Sequence, residues 1–246
     1  MSVSVTRAEP ITDAEPLVGT DMIPTLNEGD HLTREEFERR YDAMPHLKKA
    51  ELIEGVVHVP SPVRCDHHGE PHLTLGGWLY HYRWKTPGVR AADNSSVRMD
   101  MGNMPQPDCL MFITPESGGR AKVDEDGYVN GAPELIAEVA ASSAHYNLYD
   151  KLEAYRRNGV CEYLVWRVLD GQIDWFVLRQ EGYERLAPAA DGTLRSTIFP
   201  GLWLDPAALM REDLDTLMDV LQRGVDSLEH ADFAASLRQP RSESGG

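Results

Sequence analysis

The run PDCLMFI (residues 107–113), followed by ELIAEVA (134–140) and DKLEAYRRNGVCEYLVWRV (150–168), decides the fold of this chain. Asp108 opens the first apolar run and Glu138 interrupts the second, so two carboxylates stand in segments that read as buried strands. Burying a carboxylate is costly unless it is paired or bound to a cation. The third run has helical character up to Asn158 and Gly159, a C-cap pair, and passes directly into a further strand. Strand, helix, strand in that order requires a crossover and a parallel pair. Lys151 stands near the start of that helix. Two acids and a lysine are the working parts of metal-assisted phosphodiester chemistry, although each residue taken alone also fits an ordinary salt bridge.

Working outward, Thr33 and Glu36 form a capping box that predicts an amphipathic helix over 33–43, with Leu32 and Phe37 placed to staple its start. AELIEGVVHV alternates about a Gly turn and predicts a strand pair ending at PSPV. In HHGEPHLTLGGWLYHYRW, Leu75, Trp78, Leu79 and Tyr82 recur at helical spacing, and Pro71 is tolerable there near the first turn. VRAA, SVRMD and PDCLMFI are expected to form an antiparallel meander. Residues 114–133 are a Gly-rich excursion of a length that is commonly functional or mobile. QIDWFVLRQ and GYERLAP read as a hairpin closed by Glu181 and Gly182, and FPGLWLDPAAL leads into a short helix. Trp166, Trp175 and Phe176 are expected in the core. Residues 1–30 read as a disordered arm, 31–209 as one domain, and 210–246 as a helix with a flexible tail.

With 246 residues and 41% hydrophobic content, the chain can bury one good-sized core. Cys65, Cys109 and Cys161 are scattered, with no disulfide framework and no CxxC metal spacing, which fits a reducing cytoplasm. The N-terminal stretch lacks a signal-peptide pattern, and no apolar run approaches the ~20 residues of a membrane span, so a cytoplasmic protein with no membrane association is expected. The net charge of −16 argues against avid, nonspecific binding of nucleic acid. A local basic strip can exist within an acidic total.

Helix, three-stranded meander, helix, strand is the element order of the PD-(D/E)XK nuclease core, an α/β restriction-endonuclease-like fold with a mixed central sheet flanked by helices. LTREEF, ELIEGVVHVPSP, QPDCLMFI, ELIAEVAASSAHYN, KLEAYRRNGVCEYLVW and FPGLWLD together resemble the Uma-two family of restriction-endonuclease-like proteins over roughly residues 31–209. The resemblance implies metal-assisted attack of water on a DNA phosphodiester, with Asp108 and Glu138 as metal-binding carboxylates. Mg²⁺ is the implied ion and Mn²⁺ its substitute, because hard cations take carboxylate and water oxygens. DNA is the implied partner. Enzymes that cut both strands are commonly dimers, so a homodimer is kept open.

The sequence departs from the general pattern at Ala140, where many nucleases of this fold carry a lysine two residues after the acid. The resemblance moves that role to Lys151 on the following helix; a surface lysine paired with Glu134, Glu153 or Asp150 is the plain alternative. Asn147 stands where relatives tend to have an acid. Glu51 matches an acid of the family's ELIDGE element and could complete the metal shell, or could face solvent at a strand edge. His68, beside His67 at the start of a helix, lies in a family position that often carries His and could contact a phosphate or the metal water; a capping role is its plain alternative. A zinc site built from His67, His68 and His72 is disfavoured by Pro71. Ser142 and Ser143 read as helix caps. Arg83, Lys85, Arg90, Arg98, Arg156 and Arg157 are the cations available for DNA, too dispersed to form a patch. The rival readings are a catalytically weak or inactive nuclease-fold binding module, favoured by the acidity, Ala140 and Asn147, and a hydrolase of small phosphoesters.

Overall fold

The computed structural model describes residues 23–140 and 150–238. Its centre is a six-stranded sheet in the order β11–β10–β9–β8–β5–β3. These strands are β3 (Val89–Asp93), β5 (Cys109–Ile113), β8 (Leu135–Ala140), β9 (Glu162–Arg167), β10 (Gln172–Arg179) and β11 (Gly182–Arg185). All pairings are antiparallel except β8 with β9, the parallel pair that the crossover requires. That crossover carries α3 (Leu152–Asn158), which ends at Gly159 with φ of +79°, a left-handed conformation that glycine adopts without steric cost. Every residue of β8 is buried, because the sheet is covered on both faces.

Strand alternation sorts the core into two layers. Leu135, Ala137 and Val139 face a cluster with Leu75, Trp78, Leu79 and Tyr82 of α2 (Glu70–Lys85). Ile136 and Ala140 face the opposite cluster with Tyr155 of α3, Tyr163 and Phe112. Glu138 shares the parity of this second face. Helix α2 starts from a π-helical turn (Cys65–Gly69), and Pro71 falls in its first turn, where a missing N–H costs no helical hydrogen bond. Trp78 Nε1 donates to the Trp203 carbonyl at 3.0 Å and Tyr82 Oη to that of Pro200 at 2.8 Å, locking α2 against the chain's last third.

A third cluster holds Leu26, Phe37, Leu52, Val57 and Met104 together. It joins α1 (Arg34–Asp42), capped by the Thr33 side chain, to the hairpin of β1 (Glu51–Ile53) and β2 (Val56–His58). Leu26 is buried in this cluster and Glu28 accepts from the Val59 amide, so the arm read over residues 1–30 is held to the domain at these two residues near its end. The meander also needs correction. β4 (Val97–Arg98) does not lie between β3 and β5, which pair directly; it leaves the main sheet and pairs in parallel with β7 (Val129–Asn130). With β6 (Lys122–Val123), these strands give the Gly-rich excursion a small sheet of its own. The β10–β11 turn falls one residue earlier than Glu181–Gly182, because Gly182 pairs with Arg179.

The strand pair β12 (Leu194–Arg195) and β13 (Trp203–Leu204) leads into α4 (Pro206–Met210), α5 (Leu214–Val225) and α6 (Leu228–Leu237). Leu217, Leu221, Val225 and Leu237 enter the α2-side core, so residues 214–237 form two helices packed on the sheet domain. The residues read as a flexible tail lie outside the described residues from position 239 onward. No helix among the described residues is long and apolar enough to cross a membrane.

Candidate functional site

The β5–β8 register pairs Cys109 with Ala137, which sets Asp108 beside Glu138 at the open end of the two strands. Asp108 Oδ2 accepts from the Val139 amide at 2.8 Å, so the strand itself orients this carboxylate. Lys49 Nζ lies 3.2 Å from Asp108 Oδ1, and His68 Nε2 lies 3.2 Å from Oδ2. Burial pushes the Asp108 carboxyl up, but the His68 hydrogen bond, the nearby Lys49 and His68 charges and the Val139 amide outweigh it. The group is held well below the usual carboxylate range.

Glu138 reaches toward α3. Its Oε1 accepts from Lys151 Nζ at 2.7 Å and from the Tyr155 hydroxyl at 3.1 Å. Lys151 Nζ also donates to Glu51 Oε1 at 2.8 Å, and that same oxygen accepts from the Gln106 amide. Lys151 is therefore a buried ammonium bridging two carboxylates, with 3% of its side chain exposed, and not a surface lysine. Glu51 likewise points inward rather than to solvent. Burial raises the Glu138 pKa; Lys151 opposes this, while Asp108 and Glu51 add to it.

Asp108, Glu138, Lys151, Glu51 and His68 thus converge on one place. His67 does not: it turns outward beside Asp66. His72 does, with Nε2 2.8 Å from the Asp108 carbonyl oxygen. Reading from sequence missed Lys49 and Tyr155, and weighed His72 only within a zinc trio that it disfavoured. Tyr155 did carry a signal, since it lies four residues after Lys151, one turn away on the helix. Ser142, Ser143 and Asn147 lie outside the described residues. Of the cations suggested for DNA, Arg98 is held by Glu38, Asp124 and Asp126, Arg156 by Glu153, and Arg157 by Glu54. Arg83 lies over the Tyr80 ring and Arg90 over that of Phe112.

The donor set suits a divalent cation. Three carboxylates, Asp108, Glu138 and Glu51, gather here with two ammonium groups, Lys49 and Lys151, and the His68 imidazole, so oxygen ligands of the kind a divalent ion takes are concentrated at one buried place. Gln106 Oε1, two residues from Asp108, is a hard amide oxygen buried without a hydrogen-bond partner among the described residues.

The family profile described as "Uma2: Putative restriction endonuclease" matches residues 34–207. The chain belongs to the Uma2 family. The match spans α1, the β1–β2 hairpin, both site strands, the crossover helix and the start of α4, so every residue of the cluster lies within it. A solved structure described as a putative nuclease belonging to DUF820, from Anabaena variabilis ATCC 29413, is similar to this Uma2 chain. The TM-score is 0.54 at 14% identity, covering 70% of this chain and 96% of that one. At that identity the likeness establishes the fold, which is restriction-endonuclease-like. A search of the curated proteins found no match.

Proposed function

We propose that this Uma2 chain is a divalent-metal-dependent endonuclease acting on DNA, with Asp108, Glu138 and Lys151 at its centre. The observation that carries the reading is the buried pairing of Lys151 with Glu138 beside Asp108, on the adjacent ends of two central strands. Buried acids gathered in one place are expensive to keep unless they serve a function. Membership of a family described as "Putative restriction endonuclease" supports phosphodiester hydrolysis as the chemistry.

Asp108 and Glu138 would hold the ion, Mg²⁺ or Mn²⁺. When bound, such an ion supplies Lewis acidity that acidifies water and offsets the charge gained by the phosphate in the transition state. The protein's own groups prepare that site. Lys151 favours the ionised form of Glu138 against the cost of burial and fixes its orientation, which makes Lys151 a positioning residue. Tyr155 holds the same oxygen from a second direction. Glu51 anchors the far side of Lys151 and is itself anchored by the Gln106 amide. Lys49, a quarter exposed, and His68, at 18% exposure, stand on the solvent side of Asp108, where an incoming phosphate would meet them.

The net charge of −16 favours a second reading, in which the substrate is a small phosphoester rather than duplex DNA. A panel of supercoiled plasmid, single-stranded DNA and bis(p-nitrophenyl) phosphate, each with Mg²⁺, Mn²⁺ or excess EDTA, separates the two. Metal-dependent cutting of either DNA is expected. Turnover of the small diester with both DNAs intact would select the second reading.

A further inference from the structure

Asp108 is approached by two imidazoles as well as by an ammonium. The π-helical turn Cys65–Gly69 runs into α2 and places His68 and His72 one turn apart, with ring centroids 5.7 Å apart in an edge-on arrangement. His68 Nε2 is 3.2 Å from Asp108 Oδ2, and the contact of His72 Nε2 with the Asp108 carbonyl holds that ring against the start of β5. One ligand atom from each of His68, His72 and Asp108 lies within 4.8 Å of the others. Two ligands that each sit ~2.1 Å from one ion are separated by about 3–4 Å, so side-chain adjustments of about 1 Å would bring these three groups to the spacing of a ligand shell. Lys49 occupies the other oxygen of Asp108, away from the histidines.

The chemistry of this set is not that of a magnesium site. Mg²⁺ takes oxygen ligands and retains most of its water, whereas imidazole nitrogen favours first-row transition ions. We propose that His68, His72 and Asp108 form a two-histidine, one-carboxylate site that binds a divalent first-row transition ion in preference to Mg²⁺, with His72 as the ligand that sets the preference. A groove of about 710 Å³ lined by His72, Leu73, Tyr80, Asp93 and Asn94 opens beside His72. The inference deepens the nuclease reading and rests on it for the purpose of the ion, but not for its binding.

The test reads binding directly on the full chain stripped with EDTA. Co²⁺ is titrated by calorimetry and by its visible d–d absorption, and Mg²⁺ by calorimetry, for the wild type, His68→Gln and His72→Gln. Glutamine at position 72 retains a donor for the Asp108 carbonyl without an imidazole nitrogen, and circular dichroism verifies that each variant is folded. The expected result is Co²⁺ binding at one site per chain, tighter than Mg²⁺ by about 100-fold, with each substitution weakening Co²⁺ by about 10-fold or more and leaving Mg²⁺ little changed. Co²⁺ affinity equal to that of Mg²⁺, or unchanged in His72→Gln, overturns the proposal. If Co²⁺ binds through these histidines but no DNA is cut, the site stands and the nuclease reading falls. DNA cleavage with binding indifferent to His72 gives the reverse.

Discussion

Lys151 Nζ lies 2.7 Å from Glu138 Oε1, bringing the N-terminal end of the crossover helix onto the central strand that precedes it. In this chain the position two residues after the strand acid is Ala140, which is buried and packs with Tyr155 and Val165. A lysine on the helix instead enters from above the strand and meets the same acid.

Replacing Lys151 with methionine should therefore do two things. Glu138 and Glu51 lose the ammonium they share, which costs about 3–5 kcal/mol of stability near neutral pH. Burial already raises the Glu138 pKa, and losing Lys151 raises it further, so the deficit relative to wild type should be small in acid and grow as pH rises. Urea unfolding of both proteins across that range checks the sign; a deficit independent of pH would mean that the ammonium does not hold Glu138 in the folded state.

A second buried acid tests the sheet away from the site. Glu162, at the start of β9, accepts from Ser196 Oγ, the Thr197 amide and hydroxyl, and Trp175 Nε1. Burial raises its pKa against these donors. With the folded value above the unfolded value of about 4.3, its contribution is complete in acid and declines as pH rises through the folded value. Wild-type stability measured against Glu162→Gln should fall across that window, and a difference that rises instead would contradict it.

The C-terminal helices pack through a close backbone approach. Gly201 has φ of +87°, and a Cβ there would lie 2.6 Å from the Gly224 carbonyl of α5. Gly201→Ala should cost about 2–4 kcal/mol, from the left-handed conformation and the overpacking together. Thermal unfolding of the variant measures this, and an unchanged midpoint would show that α5 does not bear on this turn.

Much of this was legible in the sequence, for identifiable reasons. The α2 stripe, the Thr33 cap, the Gly159 stop and the parallel β8–β9 pair follow from local periodicity and capping, and each stands where its residues place it. The path of β4 was not legible, because a two-residue strand carries no period to say which partner it takes. Leu26 was hidden in a Pro- and acid-rich arm, where one apolar residue gives no pattern, although it fills the space under Phe37 and Met104. At the site, Asp108 and Glu138 stood out because acids are costly in apolar runs. Lys49 and His72 did not, since their proximity to Asp108 depends on how the hairpin and α2 meet the end of β5.

If DNA is the substrate, its path has a candidate surface. Tyr80 and Trp84 are exposed on α2, at 55% and 71%, beside Arg83 and Lys85, and Tyr80 lines the groove that begins at His72. Trp84→Ala should weaken single-stranded DNA binding by about 1–3 kcal/mol through lost stacking, and Lys85→Ala should reduce the salt dependence by about one counterion. Fluorescence anisotropy at several salt concentrations measures both; wild-type behaviour in each variant would place the DNA elsewhere.

The most direct test of the central claim is single-turnover cleavage of plasmid and single-stranded DNA with Mn²⁺ and with Mg²⁺, by wild type beside Asp108→Asn, Glu138→Gln and Lys151→Met. The account predicts EDTA-sensitive cleavage that falls by about 10²-fold or more in each variant, with folding verified in parallel. Cleavage that survives in folded Asp108→Asn and Glu138→Gln would contradict it.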